Sequence, residues 1–149
     1  MYRSTKLFSG YSCCFRQWKA EHSHCRFLHG YALSFRVTFA GELDERNWVC
    51  DFGCFSKNGI KARLSHLFDH TTIIAHDDPQ LAMFQELAQK GLIQLRVVDA
   101  VGAERFAQLV CAEVNQLLLN DKSHAGRVQA VQVECMENEK NSAVFYLRR

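Results

Sequence analysis

Residues 31–40 read Tyr31-Ala32-Leu33-Ser34-Phe35-Arg36-Val37-Thr38-Phe39-Ala40. Tyr31, Leu33, Phe35, Val37 and Phe39 fall on one face, and Ser34, Arg36 and Thr38 on the other. Side chains of a strand alternate sides with a period of two, so this pattern predicts a half-buried antiparallel strand. Upstream, Leu7 to Phe15 also reads as a strand, with Tyr11, Cys13 and Phe15 on one side. The two can pair as a hairpin whose long connection spans residues 16–27.

Downstream, a turn at Asp44-Glu45-Arg46-Asn47 leads into a short apolar run, Trp48 to Phe52. A helix follows in which Ile60, Leu64, Leu67 and Phe68 recur at helical spacing. A second helix is expected to start at Pro79, behind Asp77 and Asp78, and to stop at Gly91, because proline suits a first helical turn and glycine a helix end. Residues 92–98 return to strand. A third helix covers about 103–119, with Phe106, Leu109, Val110, Val114, Leu117 and Leu118 as its apolar stripe. Two strands, Val128 to Glu137 and Ser142 to Leu147, end the sequence, joined through Asn138-Glu139-Lys140-Asn141. The expected fold is α+β: an antiparallel four-stranded sheet with helices on one face, in the main order ββααββ. Such a sheet has two open edges over a thin core, and pairing them with other subunits would cover them, so an oligomer is expected.

With 149 residues, 48% of them hydrophobic, the chain suits one compact core, and residues 1–149 are expected to form a single domain. The formal net charge of +2 is scattered, with no run of four basic residues. Neither a nucleic acid nor a membrane is therefore expected as a partner. No stretch approaches the roughly 18 apolar residues that span a bilayer. Met1 to Lys6 lead straight into a strand without a signal-peptide core, so a cytoplasmic location is expected. Seven cysteines, an odd number that includes the adjacent pair Cys13-Cys14, favour free thiols over disulfides. Cys50, Cys54 and Cys111 read as small buried hydrophobes.

Reactive side chains are densest at His22-Ser23-His24-Cys25-Arg26-Phe27-Leu28-His29-Gly30-Tyr31. Imidazoles and a thiol entering a strand suit a divalent metal of the zinc type; hydrogen-bonded loop and core histidines are the alternative. Asp69-His70, at the end of the first helix, sets a carboxylate beside an imidazole, an arrangement that orients the ring for proton transfer and equally serves as a surface helix cap. Glu104 opens the last long helix, and Glu137 continues the inward series Val131, Val133, Cys135. A carboxylate so placed can hold an amidine-like N–C–NH2 edge by paired hydrogen bonds, such as the edge of a pterin.

Together, in order and over nearly the whole sequence, these residues resemble the 6-carboxytetrahydropterin and 6-pyruvoyl-tetrahydropterin synthase family. The family's Cys-x-x-x-His-Gly-His is matched by Cys25, His29 and Gly30, its acidic-aromatic pair by Asp51-Phe52, and its Asp-His by Asp69-His70. Glu104 matches the helix-start glutamate, and Val133, Cys135 and Glu137 match the terminal Val-x-Val-x-Glu. The resemblance implies a tunnelling fold, a homo-oligomeric barrel (a hexamer in the family) with shared active sites, one Zn2+ per subunit, and a reduced pterin triphosphate as substrate. It implies Cys25, Asp69 and His70 as catalytic residues and Glu137 and Glu104 as pterin contacts. The three-residue gap between Cys25 and His29 resembles the bacterial branch, a 6-carboxy-5,6,7,8-tetrahydropterin synthase acting on 7,8-dihydroneopterin triphosphate in 7-deazaguanine (queuosine) biosynthesis. A 6-pyruvoyl-tetrahydropterin synthase and a non-catalytic pterin- or metal-binding paralogue are the alternatives.

The pattern departs from the family at its metal. The first zinc histidine belongs to a Phe-x-Ala-Ala-His strand, where this sequence has Tyr11-Ser12-Cys13-Cys14-Phe15, and the third is replaced by Tyr31. A rearranged ligand set of Cys13, His24 and His29 is expected instead, with a fourth position open.

Overall fold

A computed structural model of the protein describes residues 1–148. Two long strands form its centre: β1 (Tyr2–Phe15) and β2 (His29–Gly41) pair antiparallel, with Cys13 opposite Tyr31 and Phe15 opposite His29. Gly10 adopts a left-handed φ of +88° where the register slips between Phe8 and Tyr11. That bulge re-phases the strand, so Phe8, Tyr11, Cys13 and Phe15 are all buried although the first two are three residues apart. On β2 the alternation holds as far as Val37, with Leu33, Phe35 and Val37 buried and Arg36 exposed; from Thr38 onward, where the register shifts against the neighbouring strand, both faces are buried.

Helices α1 (Ile60–Phe68) and α3 (Ala103–Leu119) pack onto this buried face. Phe68 meets Phe35 at 4.7 Å and Phe106 at 5.4 Å between ring centroids, and Phe106 meets Phe15 edge-on at 4.9 Å. A third helix, α2 (Leu81–Gln89), contacts β3 (Thr71–Ala75) and β4 (Leu95–Val98). The fold is completed by β5 (Val128–Met136) and β6 (Ser142–Tyr146).

The expected antiparallel four-stranded sheet is corrected by the structure: the sheet is mixed and has six strands, in the order β4-β3-β1-β2-β5-β6. β3 runs parallel to both β1 and β4. Every residue of β3 is buried, so Thr71-Thr72-Ile73-Ile74-Ala75 shows no alternation and offers no period-two signal. Its entry is set by the backbone of β1. His70 takes a left-handed φ of +57°, its N–H donates to Ser12 O at 2.6 Å, and Ser12 N donates to Asp69 Oδ1 at 3.3 Å. The edge strands are β4 and β6. The second helix begins at Leu81, two residues beyond the proline expected to open it. Asp78 is taken up by Arg16, whose Nε and Nη2 donate to it at 2.8 and 2.5 Å, and Pro79 and Gln80 form a turn closed by Leu81 N donating to Asp78 O. Among the described residues no helix is long and apolar enough to cross a membrane.

Candidate functional site

The β1–β2 hairpin places Tyr31 where several of the singled-out residues converge. Its ring stacks on Phe15, with centroids 4.1 Å apart and planes 15° from parallel, and meets His29 at 4.5 Å. Burial pushes the Tyr31 hydroxyl up to about 12, reinforced by the negative charge of Glu137 and by the thiols of Cys25 and Cys13. It is therefore a neutral hydrogen-bond donor near neutral pH. Burial also raises the Cys135 thiol, with further contributions from Glu137, Cys13 and Glu104. These mutual influences gather Cys25, Tyr31, Glu104 and Glu137 at one end of the sheet.

Each side chain there has a local reason for its position. Cys25 sits in a short 3-10 turn, His24–Arg26, capped by Ser23, whose Oγ accepts from Cys25 N at 3.1 Å. Gln17 N donates to Cys25 O at 2.8 Å and ties that turn to the end of β1. His29 places Nδ1 2.9 Å from Phe27 O, an acceptor only, so Nδ1 carries the proton and Nε2 keeps its lone pair. Glu137 follows β5 at the start of a turn, where its N–H donates to Asn141 O at 3.1 Å. Glu104 stands exposed in the first turn of α3.

Asp69 and His70 form a second group, beside the opposite flank of β1. Asp69 Oδ1 lies 3.1 Å from His70 Nδ1, and the Asp69 carboxyl is held below its usual range by the Ser12 N–H and then by His70. His70 is largely exposed, its side chain 76% accessible. Its cleft is shared with Cys13, Cys14, Gly30 and Thr72. Cys13 thus lies between the two groups, since Asp69 and Tyr31 both register in its neighbourhood.

The expected ligand set Cys13, His24 and His29 is not gathered. Among the described residues, the one group of three or more such side chains with ligand atoms mutually within 4.8 Å is Cys54, Asp121 and His124. Cys13 is a core residue, 5% exposed, and burial, followed by Cys14 and Asp69, pushes its thiol up to about 12, far from the thiolate a metal needs. His24 points its ring toward Phe27, 6.3 Å between centroids. The two positions that resemble zinc histidines, Phe15 and Tyr31, carry no ligand suited to zinc and fill the space with their stacked rings. The residues present therefore do not fit a zinc ion at this place. The Cys54, Asp121 and His124 group could hold a metal ion; the sequence disguised it, with Cys54 resembling a core residue and His124 standing 70 positions away.

The comparisons with known proteins agree with this architecture. A family model described as 6-pyruvoyl tetrahydropterin synthase matches residues 5–148. The chain belongs to the 6-pyruvoyl tetrahydropterin synthase family. A curated relative from Archaeoglobus fulgidus, named putative 6-carboxy-5,6,7,8-tetrahydropterin synthase, is 31% identical over 94 residues, covering 59% of this chain and 80% of the relative. An uncharacterized protein from Wolinella succinogenes superposes with a TM-score of 0.81 at 22% identity, over 99% of this chain and 98% of the other. The 6-pyruvoyl tetrahydropterin synthase of Caenorhabditis elegans gives 0.65 at 16% identity, over 99% and 96%. As a member of the 6-pyruvoyl tetrahydropterin synthase family, the protein has the α+β fold of these neighbours, a lyase-type scaffold with a mixed six-stranded sheet.

Proposed function

We propose that this protein is a pterin synthase that converts 7,8-dihydroneopterin triphosphate and water to 6-carboxy-5,6,7,8-tetrahydropterin, with loss of triphosphate and of the two outer side-chain carbons as a two-carbon aldehyde, in the pathway to queuosine. The observation that carries the reading is the Tyr31 hydroxyl, which feels both the Glu137 carboxylate and the Cys25 thiol. This supports a site in which the anchor for the pterin's N–C–NH2 edge lies near the base for its side chain. Glu137 accepts the paired hydrogen bonds of the ring, with Glu104 beside it. Cys25 takes a proton from carbon in the substituent of the pterin, Tyr31 donates a hydrogen bond toward the developing oxygen charge, and His70, oriented by Asp69, returns a proton. No step runs through a metal at Cys13, His24 and His29, because those side chains are not gathered.

The two groups of residues flank β1 within one subunit, which suits a homo-oligomer whose site takes Cys25 from one subunit and Asp69-His70 from another. A second reading, a pterin-binding protein without turnover, is favoured by the Phe15–Tyr31 stack at positions that resemble zinc ligands. Triphosphate release from 7,8-dihydroneopterin triphosphate separates the two. Release with formation of the 6-carboxy product supports the synthase; tight pterin binding without release supports the binder. The shared site is tested by mixing and reassembling Cys25→Ala and His70→Ala subunits: activity restored in the mixture supports it, and two additive losses overturn it.

A further inference from the structure

A second constellation of reactive side chains stands at the other end of the molecule. Phe55, next to Cys54, stacks on Phe39 at 5.1 Å. Phe39 lies eight positions along β2 from Tyr31, roughly 26 Å at the rise of a strand. His124, 1% exposed, follows α3 and turns its ring inward. Its Nδ1 is 2.8 Å from Asp121 Oδ2 and 2.9 Å from Ser123 Oγ. Asp121 is itself fixed: Asn58 Nδ2 donates to Oδ2 at 3.1 Å, and Ser123 N and Oγ donate to Oδ1 at 3.0 and 2.7 Å. The carboxylate only accepts, so the ring proton sits on Nδ1 and Nε2 presents a lone pair. Facing that lone pair, at 4.0 Å, is Cys54 Sγ.

We propose that Cys54, His124 and Asp121 form a thiol–imidazole–carboxylate relay, a nucleophilic site separate from the pterin pocket that takes small electrophiles carrying an acidic group. Nucleophile, base and orienting carboxylate stand in the order such a relay needs. The half-buried Cys54 opens onto a cleft shared with Asn58, with the Asp121 carboxylate, and with the exposed Lys57 and Lys122, whose two cations outnumber that carboxylate and suit an anionic reactant. Burial, then the charges of Asp121 and Asp51, push the thiol up to about 11, so it rests protonated and depends on the imidazole to accept its proton during attack. Both carboxylate oxygens of Asp121 already accept hydrogen bonds, which leaves Sγ and Nε2 facing the gap.

The step is tested with iodoacetate. Sγ attacks the carbon bearing iodine, an S–C bond forms as the C–I bond breaks, iodide leaves, and the thiol proton passes to His124 Nε2 and from there to solvent. The full-length protein is treated with limiting iodoacetate or iodoacetamide, and labelling at each cysteine is followed by peptide mass mapping. Cys54 is expected to react at least about tenfold faster than Cys14, the other half-buried thiol, with the preference for iodoacetate greater at Cys54 than at exposed Cys25. His124→Gln and Asp121→Asn are expected to slow Cys54 by roughly a hundredfold, the usual worth of a positioned base, and to leave Cys14 and Cys25 unchanged. Labelling of wild-type Cys54 no faster than Cys14 overturns the relay, and this comparison stands even if the His124 variant does not fold. One equivalent of zinc that survives dialysis and blocks Cys54 overturns it in favour of a metal site.

Discussion

Phe15 and Tyr31 lie on adjacent strands and stack nearly face to face, with ring centroids 4.1 Å apart. By the sequence resemblance both match zinc-binding histidines of the family, as does His29, whose ring meets Tyr31 at 4.5 Å between centroids. Restoring the two rings should restore a site: the double variant Phe15→His/Tyr31→His is expected to bind about one zinc per subunit through a three-histidine set. Removal of the fully buried Phe15 should lower stability by about 2 kcal/mol or more in the metal-free protein. Metal content by atomic emission and denaturant unfolding with and without zinc check both expectations. A double variant that folds but takes up no more zinc than wild type would show that the ligand geometry has been lost as well as the ligands.

Cys25 is the thiol nearest the proposed chemistry, exposed and held by its turn rather than by the core. Cys25→Ala removes no buried surface, so the melting temperature should hold while turnover falls by roughly 100- to 10,000-fold, the loss expected for a positioned base. Single-turnover kinetics with the pterin triphosphate reads the effect. Turnover near the wild-type rate would move the base to another residue.

Glu137→Gln keeps the size of the side chain and removes half of its paired, charge-assisted contact with the pterin. Affinity should fall by about 1.5–3 kcal/mol, between tenfold and a little over a hundredfold. The loss should appear in binding measured by pterin fluorescence. Glu104→Gln serves as the comparison, and a larger loss there would make Glu104 the anchor.

The centre of the fold was legible because period-two alternation in β2 and helical periodicity in α1 and α3 are direct consequences of one-sided burial. β3 escaped because both its faces are covered, and the start of α2 shifted because Asp78 pairs with Arg16, 62 positions away. At the candidate site, motif order singled out Cys25, Asp69-His70, Glu104 and Glu137 as proposals, and their places in the fold are local consequences of turns and strand ends. The aromatic stack and the Cys54–His124 pair depend on long-range proximity. Nothing in the sequence around Phe15, Cys54 or His124 announces which ring or thiol will stand opposite.

Asp121 ties the loop after α3 to the rest of the molecule, and its charge state should therefore set part of the acid stability. Burial works against the carboxylate, but hydrogen bonds from Ser123, Asn58 and His124 outweigh it and hold its pKa at about 2. In the unfolded state an aspartate titrates near 3.9. A carboxyl depressed on folding contributes its full stabilisation above the unfolded value and loses it as pH falls toward the folded one. The contribution of Asp121 should thus be complete above about pH 5 and decline between about pH 4 and pH 2, by roughly 2–3 kcal/mol in total. Asp121→Asn should remove that part of the slope while lowering stability at pH 7. Urea unfolding of wild type and variant at a series of pH values between 7 and 2 provides the check. Two parallel curves would mean that Asp121 titrates alike in the folded and unfolded states, and that the loop is held by its neutral contacts instead.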